Sequence, residues 1–536
     1  MGHGPKVNIA ISFSFETRQR QSLVATCFVA SYGKMLLNVD GLFGGCFIYL
    51  FIVVFVIVLL SAWSVYRPPG MPPGPRGYPV VGSLFSLSEN MHLDFIELGK
   101  KYGDIFTIKL GSSLVVVLNN YELIKEALVK KPTDFAGRPR TLSGDILTEG
   151  RKDIAFSDFS PTWKLHRKIS HQAIRAYASG EKLECLLREQ AFPMLQKVLE
   201  ESDGKPIQMK RLFLLTVNNI IGRLCFGYGL TLEDEKFKMT IRVFDELREI
   251  IGNGLITDIF PFMRYIPMKA TRDLIRINEE ALGFYKTKFK ERKENYDKDN
   301  VRNLADYLIH EQMKAVEEGV GDIEKLTDTH LVQTISDFYG AGVDSTTETM
   351  DWSVAYMVRY PDVQTKVAME IDDVVDRDRL PLLSDRSKLP YCDAVIHELM
   401  RIRTVAPLSV PHKALVDSTI GGYNVPKDTW VFINLWAVHM DERAWENPDQ
   451  FKPERFLNED GSLKPKADNL MPFSAGRRVC LGESLAKREI FLLFTALYQR
   501  FTFSPVPGRD LPSLEGNTSA LALRVNKYEV VVKRRY

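Results

Sequence analysis

Charge of one sign is what this chain lacks most plainly. Its 70 Lys and Arg face 68 Asp and Glu, and a net charge of +2 over 536 residues makes no field to gather nucleic acid or an acidic substrate. Paired cysteines are missing too. Cys27, Cys46, Cys185, Cys225, Cys392 and Cys480 are scattered, with no C-x-x-C spacing. That excludes a disulfide framework and a cysteine-rich zinc site, and it fits a reducing, cytosol-facing compartment. What is present is ordinary: 45% hydrophobic and 26% charged residues, ample for one large core.

One stretch lacks charge altogether. Gly41 to Tyr66 contains no Asp, Glu, Lys or Arg, and residues 47–60 read Phe-Ile-Tyr-Leu-Phe-Ile-Val-Val-Phe-Val-Ile-Val-Leu-Leu. About 20 apolar residues span a bilayer as a helix. Trp63 and Tyr66 sit where aromatic rings settle at the interface. The expectation is a single transmembrane anchor over 41–66. Lys34 and Arg67 flank both ends, so the charges leave its orientation open. Residues 1–40 form an irregular extension with no assignable role, and Met35 is an alternative start. Over 67–79, prolines at 68, 69, 72, 73, 75 and 79 forbid helix and stiffen the chain, which reads as a semi-rigid spacer.

The globular domain is expected over 80–536. Ile105-Phe-Thr-Ile-Lys-Leu and Ser113-Leu-Val-Val-Val-Leu are β-rich runs separated by Gly111-Ser112, a hairpin signal. Tyr121 to Lys130 reads as a helix stopped by Pro132. Most of Pro161 to Pro407 reads helical, with charge-rich connections at Glu291–Asn300 and Glu317–Lys325. The fold class is therefore mainly α with small β-sheets.

Chemistry concentrates in Phe473-Ser-Ala-Gly-Arg-Arg-Val-Cys480-Leu-Gly482. Gly476 and Gly482 allow turns and close approach that a β-carbon obstructs. Arg477 and Arg478 place positive charge near the Cys480 thiol, which favours the metal-binding thiolate. Such a loop presents one sulfur and several N–H groups to a flat ligand. The pattern Phe-x-x-Gly-x-Arg-x-Cys-x-Gly resembles the haem-ligating loop of the cytochrome P-450 monooxygenases. The resemblance implies haem b (iron protoporphyrin IX), with Cys480 as its axial metal ligand and Phe473 and Gly476 beside it.

Other stretches match the same family. Thr327-Asp-Thr-His opens a long helical stretch ending at Tyr360. Its middle, Phe338-Tyr-Gly-Ala-Gly-Val-Asp-Ser-Thr-Thr347, invites a local opening of the hydrogen-bond ladder. It is similar to the family's oxygen-activating groove, which implies Ala341 and Gly342 facing the iron and Asp344 and Ser345 delivering protons. Ser345 stands where the family usually has threonine, so the hydroxyl is kept but its rotamer is less fixed. Glu398-Leu-Met-Arg401 and Pro453-Glu-Arg455-Phe456 resemble the family's structural network. Arg138, Trp163, Arg167, His412 and Arg478 match positions that hold the haem propionates. Arg477, Lys487 and Arg488 suit an acidic electron donor, and 67–79 looks like the hinge of microsomal members.

Within the family the chain resembles the steroid 17α-hydroxylase/17,20-lyase branch, through Val405-Ala-Pro-Leu-Ser-Val-Pro-His-Lys and Leu511-Pro-Ser-Leu-Glu-Gly516 among others. That implies steroid 17α-hydroxylation, with Ala341, Gly342, Val405, Ala406, Val410 and Ala520 in the substrate pocket. It also implies NADPH–cytochrome P-450 reductase as partner, cytochrome b5 as a second one, no nucleic acid, and an endoplasmic reticulum membrane location with the domain facing the cytosol. The chain departs from that branch in three respects. Ile250 stands near its steroid-binding asparagine, Arg386 and His397 match two basic residues associated with cytochrome b5, and Ala520 and Leu521 replace valines. Two other readings stay open: a broad aryl or xenobiotic monooxygenase, and a haem protein that binds ligands without turnover.

Overall fold

The computed structural model describes residues 51–56 and 66–536, except 178–179, 203, 232, 253–254 and 520–521. The chain divides into two units, Met1–Tyr66 with Tyr78–Val80, and Arg67–Gly77 with Val81–Tyr536. In the first, residues 51–56 are helical. No helix among the described residues is long and apolar enough to cross a membrane. The anchor expected over 41–66 lies mostly outside the described residues, as do residues 1–40.

In the second unit the proline-rich run is not a free spacer. Arg67 donates to the carbonyls of Pro72 and Pro75 at 3.2 Å each. The Thr107 N–H donates to Pro73 O at 2.7 Å. A β-carbon on Gly74 would lie 1.9 Å from Thr107 O, so only glycine lets the run lie this close to the sheet.

That sheet begins with β1 (Ile105–Leu110) and β2 (Ser113–Leu118), paired antiparallel from Ile105↔Leu118 to Leu110↔Ser113. Six-residue β-branched runs joined by a two-residue turn fold this way because the register is set at the turn. Strand β3 (His412–Lys413) and strand β4 (Trp430–Ile433) complete it, with β4 parallel to β2. Asn120 caps α1 (Tyr121–Lys125), accepting from Glu122 N and Leu123 N, and the helix widens into a π-type turn over Glu126–Lys130.

The helical body contains α2 (Pro161–Tyr177), α3 (Met209–Phe226), α4 (Glu235–Gly252), α5 (Lys269–Glu294) and α6 (Leu304–Glu317). Helix α5 runs through Glu291–Glu294, further than the charge-rich sequence suggests, because Lys288–Glu291 and Lys290–Glu294 pair along its surface. The long helix is α7 (Asp328–Asp337), a π-type turn over Phe338–Val343, and α8 (Asp344–Arg359). Together they span roughly 50 Å at 1.5 Å per residue. His330 Nδ1 accepts from the Thr327 N–H at 3.1 Å and closes its start. The opening expected around Gly340 and Gly342 is this π-type turn.

Helix α8 packs with α9 (Pro390–Ile402) and α10 (Glu483–Arg500) in the main core, around Trp352, Tyr356, Phe491, Phe494 and Tyr498. Behind α9 a buried ion network joins the helices to the loop before Phe456. Arg401 donates to both Glu398 oxygens at 2.7 and 2.8 Å, and Arg455 Nε to Oε1 at 3.0 Å. Glu398 and Arg401 are each 0% exposed, so this is no surface pair. Strands β5 (Gly516–Ser519) and β6 (Ala522–Val525) form a hairpin against α8, where Trp352 Nε1 donates to Leu523 O at 3.2 Å.

Candidate active site

A cavity of about 600 Å³ lies between the long helix, the Cys480 loop, α4, α5 and β6. Cys480, Phe473, Arg138, Arg167, Arg478, Ala341, Gly342, Asp344, Ser345, Val405, Ala406 and Val410 all line it. Ala520 lies outside the described residues; Ala522 beside it lines the cavity.

The cysteine loop is shaped by Gly476, whose φ is +73°, and where a β-carbon would lie 2.0 Å from Leu128 O. Gly476 does not line the cavity; it seats the loop on the turn after α1. The Cys480 N–H donates to Phe473 O at 3.0 Å. The sulfur is open to the cavity but deep in protein. Burial pushes its pKa above the usual thiol value, against the pull of the Gly482 and Glu483 N–H groups and of Arg167. Arg167 is therefore the positive charge that acts on the sulfur, opposed by Glu483, rather than the two arginines next to it in sequence. Arg477 is exposed, and Arg478 turns away to the carbonyls of Ala136 and Ser157 at 2.8 and 2.7 Å.

Three guanidinium groups meet here. Arg138 donates to Ala155, Val410 and Pro411 carbonyls at 2.8–2.9 Å. Arg167 donates to Val479 O at 2.5 Å. Arg478 is pulled down to about 9, chiefly by burial. None of the three forms an ion pair with a carboxylate of the described residues. Asp153 and Asp158 offset part of this charge from a distance, but buried cations without a direct ion pair are costly, and a ligand bearing two carboxylates reduces that cost with charge-assisted hydrogen bonds. A thiol at one wall, unpaired cations around it and this volume fit a haem with its two propionates.

Trp163 and His412 do not reach the cavity. The Trp163 indole N–H donates to Ile154 O at 2.9 Å, and the Arg478 guanidinium stacks 4.0 Å over its ring. His412 Nδ1 donates to Phe135 O at 2.8 Å, and burial holds its pKa well below the histidine range. Both back the arginines. On the same face Lys487 is paired with Glu483 at 2.5 Å.

Across the cavity, Ser345 donates to Ala341 O at 2.7 Å, a carbonyl that also accepts from the Asp344 N–H. Asp344 is held by Arg524 at 2.5 and 2.8 Å. Arg524 also donates to Glu348 at 2.7 Å, which in turn pairs with Lys210 at 2.5 Å. Next along α8, Asp351 accepts from the Tyr528 hydroxyl at 2.8 Å, and burial raises its pKa to about 7. Sequence reasoning missed Arg524; the one available signal was a charge inside the apolar strand Ala-Leu-Arg-Val.

With that geometry in hand, the comparisons decide the family. The family model described as cytochrome P450 matches residues 72–532. This chain belongs to the cytochrome P450 family. It is thus a haem-dependent monooxygenase, an oxidoreductase. Among curated relatives, this P450 is 38% identical over 496 residues to a steroid 17-alpha-hydroxylase/17,20 lyase of Ictalurus punctatus, covering 91% of this chain and 96% of that one. It is 39% identical over 502 residues to the protein of that name in Oryzias latipes, covering 90% and 96%. A solved zebra fish cytochrome P450 structure with progesterone superposes with a TM-score of 0.75 at 36% identity, covering 83% of this P450 and 99% of that chain.

Proposed function

We propose that this P450 hydroxylates a C21 steroid of the progesterone or pregnenolone type at C17. The observation that carries the reading is identity of 36–39%, over most of both chains, to proteins named for that reaction and to one solved with progesterone. When bound, haem b supplies the thiolate-iron chemistry that oxidises an unactivated C–H bond. Cys480 would ligate it, and Arg138, Arg167 and Arg478 would hold its carboxylates. Val405, Ala406, Val410 and Ala522 keep the reacting face apolar and dry. Ser345 moves a proton at Oγ by rotating from Ala341 O into the cavity. Asp344, clamped by Arg524, orients the water that passes a proton back to it.

Electrons come from an NADPH-dependent flavoprotein reductase docking on the Cys480 side. The protein sits in the endoplasmic reticulum membrane, anchored by 41–66. Hydroxylation is favoured over carbon–carbon cleavage. The two positions expected to meet cytochrome b5 are poorly placed for it: Arg386 is spent on Asp393 at 2.8 Å, and burial holds His397 at about 4, so it is neutral. The test is a type I spectral titration with progesterone and pregnenolone, followed by turnover with reductase. A 17-hydroxylated product supports the reading; no shift and no product overturn it.

A further inference from the structure

The cavity wall at Asp344 is backed by charges that do not themselves line it. Lys210 on α3, Glu348 on α8 and Arg524 on β6 all stand behind that wall. With Asp344 they make a chain in which cation and carboxylate alternate. Lys210 Nζ lies 2.5 Å from Glu348 Oε1, and the same oxygen accepts from Arg524 Nη1 at 2.7 Å. Arg524 Nη1 also donates to Asp344 Oδ1 at 2.8 Å, and Nη2 to Oδ2 at 2.5 Å. Glu348 is 0% exposed, whereas the Lys210 side chain is 34% exposed. The chain thus runs from the protein surface to the residue that orients water beside Ser345.

The hydrogen bonds in this chain are unevenly divided. Arg524 forks on Asp344 with both terminal nitrogens and gives Glu348 only a share of one. Two buried atoms are left over, because Glu348 Oε2 and Arg524 Nε have no hydrogen-bond partner. A guanidinium favours two parallel bonds to one carboxylate, so a second fork, on Glu348, is open to it. Among the described residues only Lys210 shares Glu348 with Arg524. A fully buried carboxylate that loses one of two cations draws harder on the other. Asp344 has the weaker claim on Arg524, since it is partly exposed and has Arg248 of α4 3.7 Å away. Arg248 in turn is engaged by Asp245 at 2.7 Å, so it does not lock Asp344 by itself.

We infer that Lys210 is a positioning residue for proton delivery. By holding Glu348 it leaves the Arg524 fork on Asp344, and so fixes where Asp344 presents water to Ser345. The inference rests on the role given to Asp344 above. Without Lys210 the fork turns to Glu348, Asp344 is released, and the proton arrives out of line. Dioxygen that gains two electrons and two protons without cleavage leaves as hydrogen peroxide, so the loss shows as peroxide in place of product.

The test compares the unaltered holoprotein with Lys210→Met, and with Lys210→Met joined to Glu348→Gln. The crystal structure of Lys210→Met should show Arg524 forked on Glu348 and withdrawn from Asp344 Oδ2. With progesterone bound, the hydrogen peroxide released per NADPH should rise at least about twofold, while the progesterone Kd changes by less than about twofold. The double variant has no carboxylate to compete, so the fork and the product yield should return. Lys210→Arg should keep both. A merely structural lysine predicts a double variant no better than the single one, and that result overturns the inference. So does a fork that stays on Asp344 in Lys210→Met, which leaves the role of Asp344 untouched. If the fork moves and peroxide does not rise, the role of Asp344 falls and takes the inference with it. If progesterone does not bind, the steroid reading falls and the crystal structures alone decide this one. If Lys210→Met takes up no haem, the double variant must take it up, and failure of both overturns the inference.

Discussion

On the cysteine side of the cavity, three buried guanidinium groups give their hydrogen bonds to main-chain carbonyls and repel one another. On the Asp344 side, the charges are matched: Arg524 bridges Asp344 and Glu348, and Lys210 takes Glu348. The first region sets three cations against Asp153 and Asp158, neither of which pairs directly with them, and so favours a further anion. The second is neutralised by the chain itself. Binding energy is thus reserved for the side that must hold a cofactor, and the side that must manage protons is held fixed beforehand.

The sharpest way to test this contrast is at its centre. Cys480→Ser removes the soft ligand, and both monooxygenase turnover and the red-shifted carbon monoxide spectrum of the reduced protein should vanish. Next in size is Arg524→Leu. It takes the close partner from Asp344 and leaves Glu348 with Lys210 alone, and should cost about 3–5 kcal/mol of stability. Heat denaturation should show the same increment on adding haem as in the unaltered protein. Arg478→Leu, in contrast, should shrink that haem increment. Equal increments in the two variants would break the contrast.

A smaller effect concerns Asp351, whose folded pKa of about 7 lies above the unfolded value of about 3.9. The folded state therefore binds the extra proton between these values, and stability falls as pH rises from about 4 to about 7. Asp351→Asn should leave stability near pH 4 unchanged and raise it at pH 8 by about 2–4 kcal/mol. Thermal melts across that range decide it. Smallest is Lys487→Ala. Its partly exposed pair with Glu483 should be worth less than about 1 kcal/mol, whereas the reduction rate by reductase should fall if this face docks the donor.

Much of this architecture was legible because its causes are local. The β1–β2 hairpin follows from two β-branched runs and a two-residue turn. The long helix starts at a Thr327–His330 cap and ends before Pro361. The Cys480 loop is legible because Gly476 must pass Leu128 without a β-carbon. What was not legible depends on partners distant in sequence. Nothing near Arg524 announces Asp344. Nothing near Trp163 says that its N–H meets Ile154 O. The prolines of 67–77 signal stiffness, but only the fold shows them laid along β1. Lys210 reads as an ordinary surface lysine until Glu348 is seen buried against it.

The wide turn at Phe338–Val343 carries a surplus residue in a rod that is otherwise regular. Excising one of those six would let the spiral close normally, and the flanking turns would keep nearly the same bearing, because the wide turn already absorbs the extra residue. Ser345 and Asp344 would stay close to their present neighbours, while the widening beside Ala341 would shut. A one-codon deletion here should therefore leave folding and haem uptake in place and still abolish turnover.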